Sequence, residues 1–400
     1  MKPFEEVFFS FLFRFSSFFI NIKLRYNLSM SKINLALIGL NFGKDFAYIY
    51  AKDDRIGKLI LCDINKERLS SFFCDKKKIE KTTSFESVLN DPTIDAIHLI
   101  TPIPLHAKQI IQVLESGKHC ACTVPMALSI EDLDAIISAK KKSGKEFMLM
   151  ETSVYTYHNL YVMSELAKGN IGKIQFLRGS HYQDMRGWPK YWDGFPPMWY
   201  GTHAISPLRV LAGHPIESVV CYGSGTMGEK LTKQHGNPYP IETALFSFEG
   251  TDVKAEATRS LFETAHEYQE GLFVYGSKMS FEWGFKEEDV PRLTTLNDNG
   301  ISSKEELMPN YYKNLPESIR LFTKSSEGKE TDIKELEIGR GAPHHGSHPH
   351  LVNEFLNLII DGKKPLMDFK TAINVTAACL YAHESAMKNG CKIRIPKRFC

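Results

Sequence analysis

The chain has 400 residues, of which 43% are hydrophobic and 24% are charged, and its formal net charge is +2. This is ordinary globular composition with enough length for two domains. Because no long basic block is present to contact phosphates, nucleic acid is not expected as a partner. The eight cysteines form no C-x-x-C pair and are typical of reduced thiols in a cytoplasmic protein.

The first thirty residues do not match the rest of the chain. The segment 4–20 is rich in phenylalanine and is interrupted by Arg14, so it has neither the form of a signal peptide nor the length to span a bilayer. Met30 comes directly before the first core strand. We therefore expect residues 1–30 to be an extension outside the fold, with Met30 as the native start and no membrane partner. The alternative is a membrane-associating leader.

Between residues 31 and 150, apolar runs alternate with stretches of helical spacing. The runs cover 33–38, 58–62, 94–100, 119–123 and 146–150, and the helical stretches cover 43–52, 65–74, 105–116 and 129–143. Ser129 and Gly144 have the positions of an N-cap and a C-terminal glycine for the last helix. This alternation predicts a Rossmann-type α/β domain with a doubly wound parallel sheet over residues 31–150.

The first strand–turn–helix–strand unit has the features of a dinucleotide site. In such a unit the turn and the helix N-terminus meet a pyrophosphate, and an acid roughly 20 residues after the first glycine meets the ribose. An acid at that place favours NAD, because it repels the 2′-phosphate of NADP; NADP remains the second choice. The residues assigned to the cofactor here are Gly39, Asn41, Phe42, Gly43 and Asp63.

The glycine fingerprint of this unit is incomplete. A full G-x-G-x-x-G would have glycines at 39, 41 and 44, whereas the chain has Gly39, Asn41 and Lys44, with a displaced Gly43. Asn tolerates left-handed backbone geometry, so Asn41 is expected to hold the turn. Lys44 lacks the small contact that packs helix closely on strand. The alternative to nucleotide binding is an ordinary buried βαβ unit.

Two further loops follow the predicted strands at their carboxyl ends, where a doubly wound sheet binds its ligands. They are Thr101–His106 and Thr123–Met126, and both contain proline, which fixes loop shape. Loop termination alone is the alternative reason for these prolines. We assign Thr101, Pro102, His106 and Pro125 to the nicotinamide side of the cofactor site.

Three segments carry a family resemblance: the turn 39–43, the loop Thr101-Pro102…His106, and Lys118–Ala127. Together they resemble the nucleotide domain of the Gfo/Idh/MocA oxidoreductases. The resemblance continues in Gly201-Thr202-His203, at the place of the family's G-x-H element, and through the tail 350–396, so it covers nearly all of 31–400. It implies an NAD(P)-dependent oxidoreductase that transfers a hydride between a sugar, cyclitol or related polyol and the nicotinamide, and a homo-oligomer.

Residues 151–400 are then expected to form the family's second domain, an α+β unit with an open, mainly antiparallel sheet that carries the sugar-like substrate. The β-prone runs are 174–181, 216–223, 244–248, 252–261, 271–276 and 278–283, and a long helix is predicted at 371–388. The segment 297–300, Asn-Asp-Asn-Gly, predicts a turn.

The chain departs from the family at the groups that assist proton transfer. Where most members have the lysine of Glu-Lys-Pro, this chain has Val124, which cannot donate, accept or carry charge. The two aspartates that usually flank the G-x-H histidine are replaced by Trp199 and Ser206. His203 remains, and a histidine can serve as a general base near neutral pH. We therefore assign His203 to catalysis.

Three interpretations of this departure stay open. The first is oxidation with different acid–base groups, with His203 assisted by other polar residues. The second is an enzyme without net redox chemistry, such as a lyase, an epimerase or a glycoside-cleaving enzyme with retained NAD. The third is a non-catalytic sensor on the same fold. The substrate-side candidates are Tyr157, His158, His181, Arg186 and Trp188.

Four histidines lie between residues 344 and 350, and this spacing resembles a cluster of metal ligands. The glycines and prolines among them predict an irregular loop, and no carboxylate or cysteine is interleaved. No metal site is therefore predicted there. Helix capping or a loop that closes on the active site is the favoured interpretation, and elemental analysis for zinc or iron tests it.

Overall fold

The computed structural model describes residues 32–74, 79–284, 286, 289–328, 337 and 343–400. The predicted extension at residues 1–30 lies outside this part of the chain.

The first sheet is the predicted doubly wound one. All of its strand pairs are parallel, in the order β3-β2-β1-β4-β5-β6. This order reverses direction between β1 and β4, and ligands bind at the carboxyl ends of the strands beside such a switch point. The strands are β1 (Ile33–Ile38), β2 (Ile56–Cys62), β3 (Ile79–Thr82), β4 (Ala96–Leu99), β5 (His119–Cys122) and β6 (Phe147–Leu149).

Five helices accompany this sheet in the described residues: α1 (Lys44–Lys52), α2 (Lys66–Ser71), α3 (Phe85–Asn90), α4 (His106–Glu115) and α5 (Ile130–Ser143). The predicted ends of α5 are confirmed, because the Ser129 side chain accepts from the Asp132 amide and Gly144 closes the helix with a φ of +66°. Strand β3 and helix α3 were not predicted. Strand β3 is a short edge strand without a fully buried residue, so its hydrophobic signal is weak.

The second sheet has nine strands in the order β14-β13-β12-β11-β7-β10-β9-β8-β15, and only the β7–β10 pair is parallel. The predicted Asn-Asp-Asn-Gly turn joins β13 to β14. The strands are β7 (Ile174–Tyr182), β8 (Ile216–Ser224), β9 (Ile241–Phe248), β10 (Lys254–Ser260), β11 (Gln269–Gly276), β12 (Met279–Trp283), β13 (Arg292–Asn297), β14 (Gly300–Glu305) and β15 (Ile393–Arg394).

Helices cover one side of the second sheet and connect it to the first. Helix α7 packs on β7, α10 packs on β8, and α9 packs on α1 beside the dinucleotide turn. Buried apolar side chains from both sheets form one continuous core. The helices of this half are α6 (Tyr157–Ala167), α7 (Thr202–Ala212), α8 (Glu229–His235), α9 (Ser347–Asp361) and α10 (Phe369–Met387).

The predicted fold class is confirmed: a Rossmann-type parallel sheet is followed by a mainly antiparallel one. None of the helices in the described ranges is long and apolar enough to cross a bilayer.

Candidate functional site

The turn after β1 is built around two glycines. Gly39 has a φ of +95°, and a Cβ atom there would lie 2.2 Å from the carbonyl oxygen of Ile100. A Cβ on Gly43 would lie 2.0 Å from the carbonyl oxygen of Gly39. The backbone of this turn therefore lies against the end of β4 and the start of α1, with no room for a side chain at either position.

The incomplete fingerprint is explained by this geometry. Gly43, directly before α1, provides the close helix–strand contact that was not expected of Lys44. Asn41 is exposed, and it is not among the described non-glycine residues with positive φ. The expectation that Asn41 holds the turn through left-handed geometry is wrong, because the left-handed position in the turn is Gly39.

Asp63 lies at the end of β2 and faces the turn. Its Oδ2 atom accepts from the Leu40 amide at 2.7 Å, and its Oδ1 atom accepts from the Asn65 amide at 2.8 Å. The Arg68 guanidinium lies 3.6 Å from Oδ2. A cleft beside this carboxylate is lined by Leu40, Asn41, Lys44, Arg68, Ser71 and Phe72.

His106 connects the loop at residues 101–106 to the loop at residues 123–126. One ring nitrogen lies 2.7 Å from the Pro125 carbonyl oxygen, and the other lies 2.7 Å from the Thr101 carbonyl oxygen. Burial lowers the pKa of His106, and the two carbonyl contacts oppose that shift. Pro102 precedes a short 3₁₀ turn that leads into α4, and the Val124–Pro125 peptide is cis. The geometry gives His106 a positioning role between loops.

The register of the second sheet brings a histidine and a glutamate together. His181 on β7 lies directly opposite Glu270 on β11 in the antiparallel pair, so their side chains share one face. On the same strand β7, a Cβ at Gly179 would lie 2.2 Å from the Ala204 carbonyl oxygen. This glycine lets the first turn of α7 approach the strand, which carries His203 to His181, with ring centroids 4.9 Å apart.

His203 lies between two buried carboxylates. Its Nδ1 atom is 2.9 Å from Oε1 of Glu151 and 3.7 Å from Oε1 of Glu270. Glu151 lies two residues after the end of β6, and its Oε1 atom also accepts from the Ser153 amide. The Glu270 carboxylate accepts from the Tyr268 hydroxyl at 2.6 Å. We call His181, His203, Glu151 and Glu270 the polar cluster.

Charge within the polar cluster is balanced by neighbours. Burial disfavours the charged ring of His203, but Glu151 and Glu270 outweigh that effect and raise the pKa of His203 above its usual value. Burial raises the pKa of both carboxylates, but other contacts outweigh it. The contact with His203 brings the pKa of Glu151 below its usual value, and the nearby histidines do the same for Glu270. His181 differs, because burial and the charge of Arg259 lower its pKa well below the usual value.

Arg259 supplies a fully buried positive charge beside the cluster. Its guanidinium donates to the carbonyl oxygens of Tyr200 and His181 and to the side chain of Gln183. It also lies 5.1 Å from the centre of the Tyr200 ring. Burial lowers the pKa of Arg259 to about 10, so the side chain stays protonated at neutral pH.

The segment before α9 joins the polar cluster to the dinucleotide turn. His344 and His345 have φ values of +45° and +50°, which are rare for residues with a side chain. The His344 ring meets Phe42 edge-on at 5.7 Å, and its Nδ1 atom lies 3.7 Å from Oε1 of Glu270. Phe42, in the turn after β1, and Glu270, in the polar cluster, are thereby in contact with the same side chain.

The expected loop at 344–350 is shorter than predicted. Helix α9 begins at Ser347, so His348 and His350 lie in its first turn. His348 stacks on Phe46 at 4.4 Å, whereas His345 lies 3.1 Å from the Tyr157 hydroxyl. These histidines point to different neighbours, and within the described part of the chain none of them belongs to a group with metal-ligand spacing.

The five residues predicted to contact the substrate lie in three different parts of the structure. His181 is in the polar cluster. Tyr157 and His158 form an aromatic group with His345, in which the His158 ring stacks on Trp283 at 3.7 Å. Arg186 is highly exposed and paired with Asp184, and Trp188 is 49% exposed and packs edge-on against Trp192.

A metal could be held by three members of the cluster. One ligand atom each from His181, His203 and Glu270 lies within 4.8 Å of the other two.

The two carboxylates of the polar cluster, Glu151 and Glu270, were not predicted from the sequence. Glu151 had a usable signal, because it follows a predicted strand at its carboxyl end. Glu270 had none, since only the register of β11 against β7 places it there.

Sequence comparison with known proteins finds matches to the region of the first sheet. The model of an oxidoreductase family with an NAD-binding Rossmann fold matches residues 33–151. A glycosyl hydrolase family 109 protein 1 of Phocaeicola vulgatus is 28% identical over 156 residues, which is 36% of this chain and 33% of that protein. An α-N-acetylgalactosaminidase of Shewanella oneidensis is 24% identical over 200 residues, which is 45% of this chain and 42% of that protein. The chain thus matches between a third and a half of the length of these relatives.

Solved structures match over almost the whole fold. A levoglucosan dehydrogenase in complex with NADH superposes with a TM-score of 0.74 at 18% identity, over 91% of this chain and 99% of the other. The myo-inositol 2-dehydrogenase of Lactobacillus plantarum gives a TM-score of 0.67 at 19% identity, over 91% and 100%. At this identity the likeness establishes the fold. Together with the family match, it confirms the resemblance: residues 33–151 match the model of the Gfo/Idh/MocA oxidoreductases, which have an NAD-binding Rossmann fold.

Proposed function

We propose that this protein is an NAD-dependent oxidoreductase that acts on a carbinol or carbonyl carbon of a sugar, cyclitol or related polyol. The observation that carries the proposal is the polar cluster: His203 is buried between Glu151 and Glu270. His344 connects this cluster to Phe42 in the dinucleotide turn. A buried, charge-paired histidine beside a nucleotide site is the arrangement expected of a catalytic group.

The dinucleotide turn suits the cofactor. A backbone that leaves no space for a Cβ at Gly39 or Gly43 allows a pyrophosphate to approach the amides at the start of α1. Asp63 would meet the adenosine ribose, and Asn41 and Phe42 would flank the phosphates. Thr101, Pro102 and Pro125, held in place by His106, would border the nicotinamide. When bound, NAD supplies a hydride acceptor, and NADH supplies a hydride donor.

We assign to the polar cluster the proton-transfer role that the family's lysine has, because this chain has Val124 at the position of that lysine. Val124 is 8% exposed and offers the substrate only apolar surface. We assign the reacting hydroxyl to His203, which is held in orientation through Nδ1 by Glu151 and is the candidate for accepting or returning its proton. The His181 ring lies beside that of His203, with ring centroids 4.9 Å apart. Tyr157, His158, Arg186 and Trp188 stay candidates for contact with the rest of the substrate.

The test is the His203→Ala variant on a panel of polyols, cyclitols and sugars, with reduced nicotinamide as the readout. We expect turnover to fall by on the order of 10²-fold or more, because a general acid–base group is lost. NADH affinity should stay unchanged. His214→Ala, which removes an exposed imidazole, is the matched control. Near-normal turnover of His203→Ala would remove this residue from the mechanism.

A second candidate function is favoured by the sequence relatives. Their names place them among glycosyl hydrolases and α-N-acetylgalactosaminidases. A glycoside-cleaving enzyme that retains NAD would use the same cofactor site and polar cluster without net redox change. Mass spectrometry of nucleotide released on denaturation separates the two. Tightly retained NAD(H) favours this candidate, and reversible binding favours the dehydrogenase.

The organisation of the molecule remains part of the proposal. We place the boundary between the dinucleotide-binding and substrate domains at residues 150 and 151, and we expect a homo-oligomer formed through the second sheet in the cytoplasm. Large apolar side chains are exposed on strands of that sheet: Tyr222, Leu245, Leu296 and Ile301. Light scattering with size-exclusion chromatography tests the assembly, and a monomer would contradict it.

A further inference from the structure

Three side chains of the polar cluster converge from different elements of the fold. His181 comes from β7, Glu270 from the facing position on β11, and His203 from the first turn of α7. They are 1%, 5% and 7% exposed, respectively. One ligand atom from each lies within 4.8 Å of the other two. The packing of α7 against Gly179 fixes this convergence, so it is built into the scaffold.

The chemical composition of this trio is that of a metal site. Two imidazoles and one glutamate, with a remaining position left open, are a ligand set of catalytic zinc. Bonds of about 2 Å would require the three side chains to move inward by about 1 Å. Such a shift is small for side chains whose backbones already lie on adjacent strands and a packed helix.

Neighbouring groups hold the ligands as metal sites require. Histidines that bind metals usually give their second nitrogen to a carboxylate, and carboxylate ligands are themselves hydrogen bonded. Here Glu151 lies 2.9 Å from Nδ1 of His203. The Tyr268 hydroxyl donates to Oε1 of Glu270 at 2.6 Å. Both partners would orient their ligands and leave the remaining nitrogen and oxygen for the ion.

Unpartnered polar atoms point to something that binds here. Neither ring nitrogen of His181 has a hydrogen-bond partner in the described structure, and the same is true of Oε2 of Glu270. A buried donor or acceptor without a partner is unfavourable, because it has lost its hydrogen bonds to water. Among the described residues, Arg259 is a permanent cation that acts on the carboxylates of Glu151 and Glu270. A bound cation would supply the partners and offset the remaining negative charge.

We infer that His181, His203 and Glu270 bind a divalent transition-metal ion of the zinc type, which polarises the substrate oxygen at its open coordination position. This deepens the proposed function and rests on it for the role of the ion. The ion would provide the positive charge that the family's lysine provides where this chain has Val124. His203 would then hold the ion against the substrate oxygen instead of accepting the proton itself, and the hydroxyl proton, made more acidic by the ion, would pass to water.

The experiment uses the full chain, stripped with a chelator and dialysed. Calorimetric titration with Zn²⁺ should show one ion bound per chain, and Co²⁺ should give the visible absorption of a low-coordinate site. His181→Ala and Glu270→Gln should each weaken Zn²⁺ binding by on the order of 100-fold or more, and Tyr268→Phe by about 10-fold. His214→Ala should bind as the wild type does. Circular dichroism confirms that each variant is folded.

Three results overturn the inference. They are the absence of Zn²⁺ binding to the wild type, binding that is unchanged in a folded His181→Ala, and full turnover of the stripped enzyme. The last leaves the proposed function intact, with His203 acting directly on the hydroxyl. Conversely, one bound ion in a protein that performs no hydride transfer supports the site and removes the proposed function. The Co²⁺ spectrum of the wild type tests the site even where a variant does not fold.

Discussion

Glu270 lies directly opposite His181 across the antiparallel pair of β11 and β7. This register places a carboxylate and an imidazole on the face of the second sheet that α7 covers, and α7 adds His203 to them. The polar cluster is therefore set by strand register and by the close approach of a helix at Gly179.

The first prediction concerns the carboxylate that orients His203. Glu151→Gln keeps the shape of the side chain and removes its charge, so the contact with Nδ1 of His203 loses its ionic character. We expect kcat to fall on the order of 10-fold or more, with NADH affinity unchanged. Glu249→Gln, which breaks a surface pair with Lys397, is the control. An unchanged kcat in a folded Glu151→Gln would show that this carboxylate does not assist catalysis.

The second prediction concerns the dinucleotide turn. In Gly39→Ala the new Cβ would lie 2.2 Å from the Ile100 carbonyl oxygen in a backbone with positive φ. We expect a loss of more than about 1 kcal/mol in the free energy of unfolding. The Kd for NADH should rise by on the order of 10-fold or more, since the displaced backbone no longer meets the pyrophosphate.

Gly117→Ala is the matched control for the turn variant. Gly117 also has a positive φ, of +77°, but a Cβ there meets nothing within 4 Å. This variant should lose stability through backbone strain but not through a steric clash, and its affinity for NADH should be unchanged. If the two variants bind NADH equally well, the turn at Gly39 is not the pyrophosphate site.

The third prediction concerns the tie between the nicotinamide-side loops. His106→Ala removes two buried contacts, to the carbonyl oxygens of Thr101 and Pro125. Because burial lowers the pKa of His106, the neutral ring has one N–H and can donate to only one of these oxygens. At about 1 kcal/mol for that hydrogen bond, chemical denaturation should show a loss of about 1 kcal/mol in stability. NADH should bind more weakly because both loops are released. Stability equal to that of the surface variant His214→Ala would contradict this role.

The fourth prediction concerns pH and the cap of α10. Burial raises the pKa of Asp368, but hydrogen bonds from Lys364 and Thr371 outweigh it, and the net shift is downward. Because the folded pKa is below the unfolded one, the stabilisation by Asp368 is present above the unfolded pKa of about 3.9 and is lost as pH falls through the folded pKa. Asp368→Ala should cost about 1 kcal/mol at neutral pH and less in acid.

Ser129 provides the uncharged counterpart of this cap. Its hydroxyl accepts from the Asp132 amide at the start of α5, so Ser129→Ala should cost about 1 kcal/mol at every pH tested. Urea unfolding of both variants at neutral and acidic pH makes the comparison. Equal pH dependence of the two losses would refute the assignment of Asp368.

Local sequence patterns were sufficient to predict most of the strands and helices of the Rossmann domain. The apolar runs and the caps of α5 at Ser129 and Gly144 predicted its elements because each signal is contained in a few neighbouring residues. Strand β3 was missed, since a short edge strand has little to bury. The role of Gly43 was also missed, because its contact with the Gly39 carbonyl depends on how the turn closes.

The polar cluster could be predicted only in part. His203 was found from its position in the family motif, and His181 as a histidine in a β-prone run. Their partner Glu270 is about ninety residues from His181 in the sequence, and pairing across β7 and β11 brings it near. His344 reaches the site through consecutive left-handed residues, a conformation that His-His does not signal. Long-range register and rare backbone geometry are the information that local patterns lack.

The most direct measurement mixes the NAD-loaded protein with the panel of polyols, cyclitols and sugars and follows the absorbance of the reduced nicotinamide within a single turnover. This readout detects hydride transfer whether or not the overall reaction is redox-neutral. The account predicts a rise with at least one sugar-like compound, and its loss in a His203→Ala variant that still binds NAD. No rise with any compound, or an equal rise in the variant, would contradict the claim that hydride transfer takes place at this cluster.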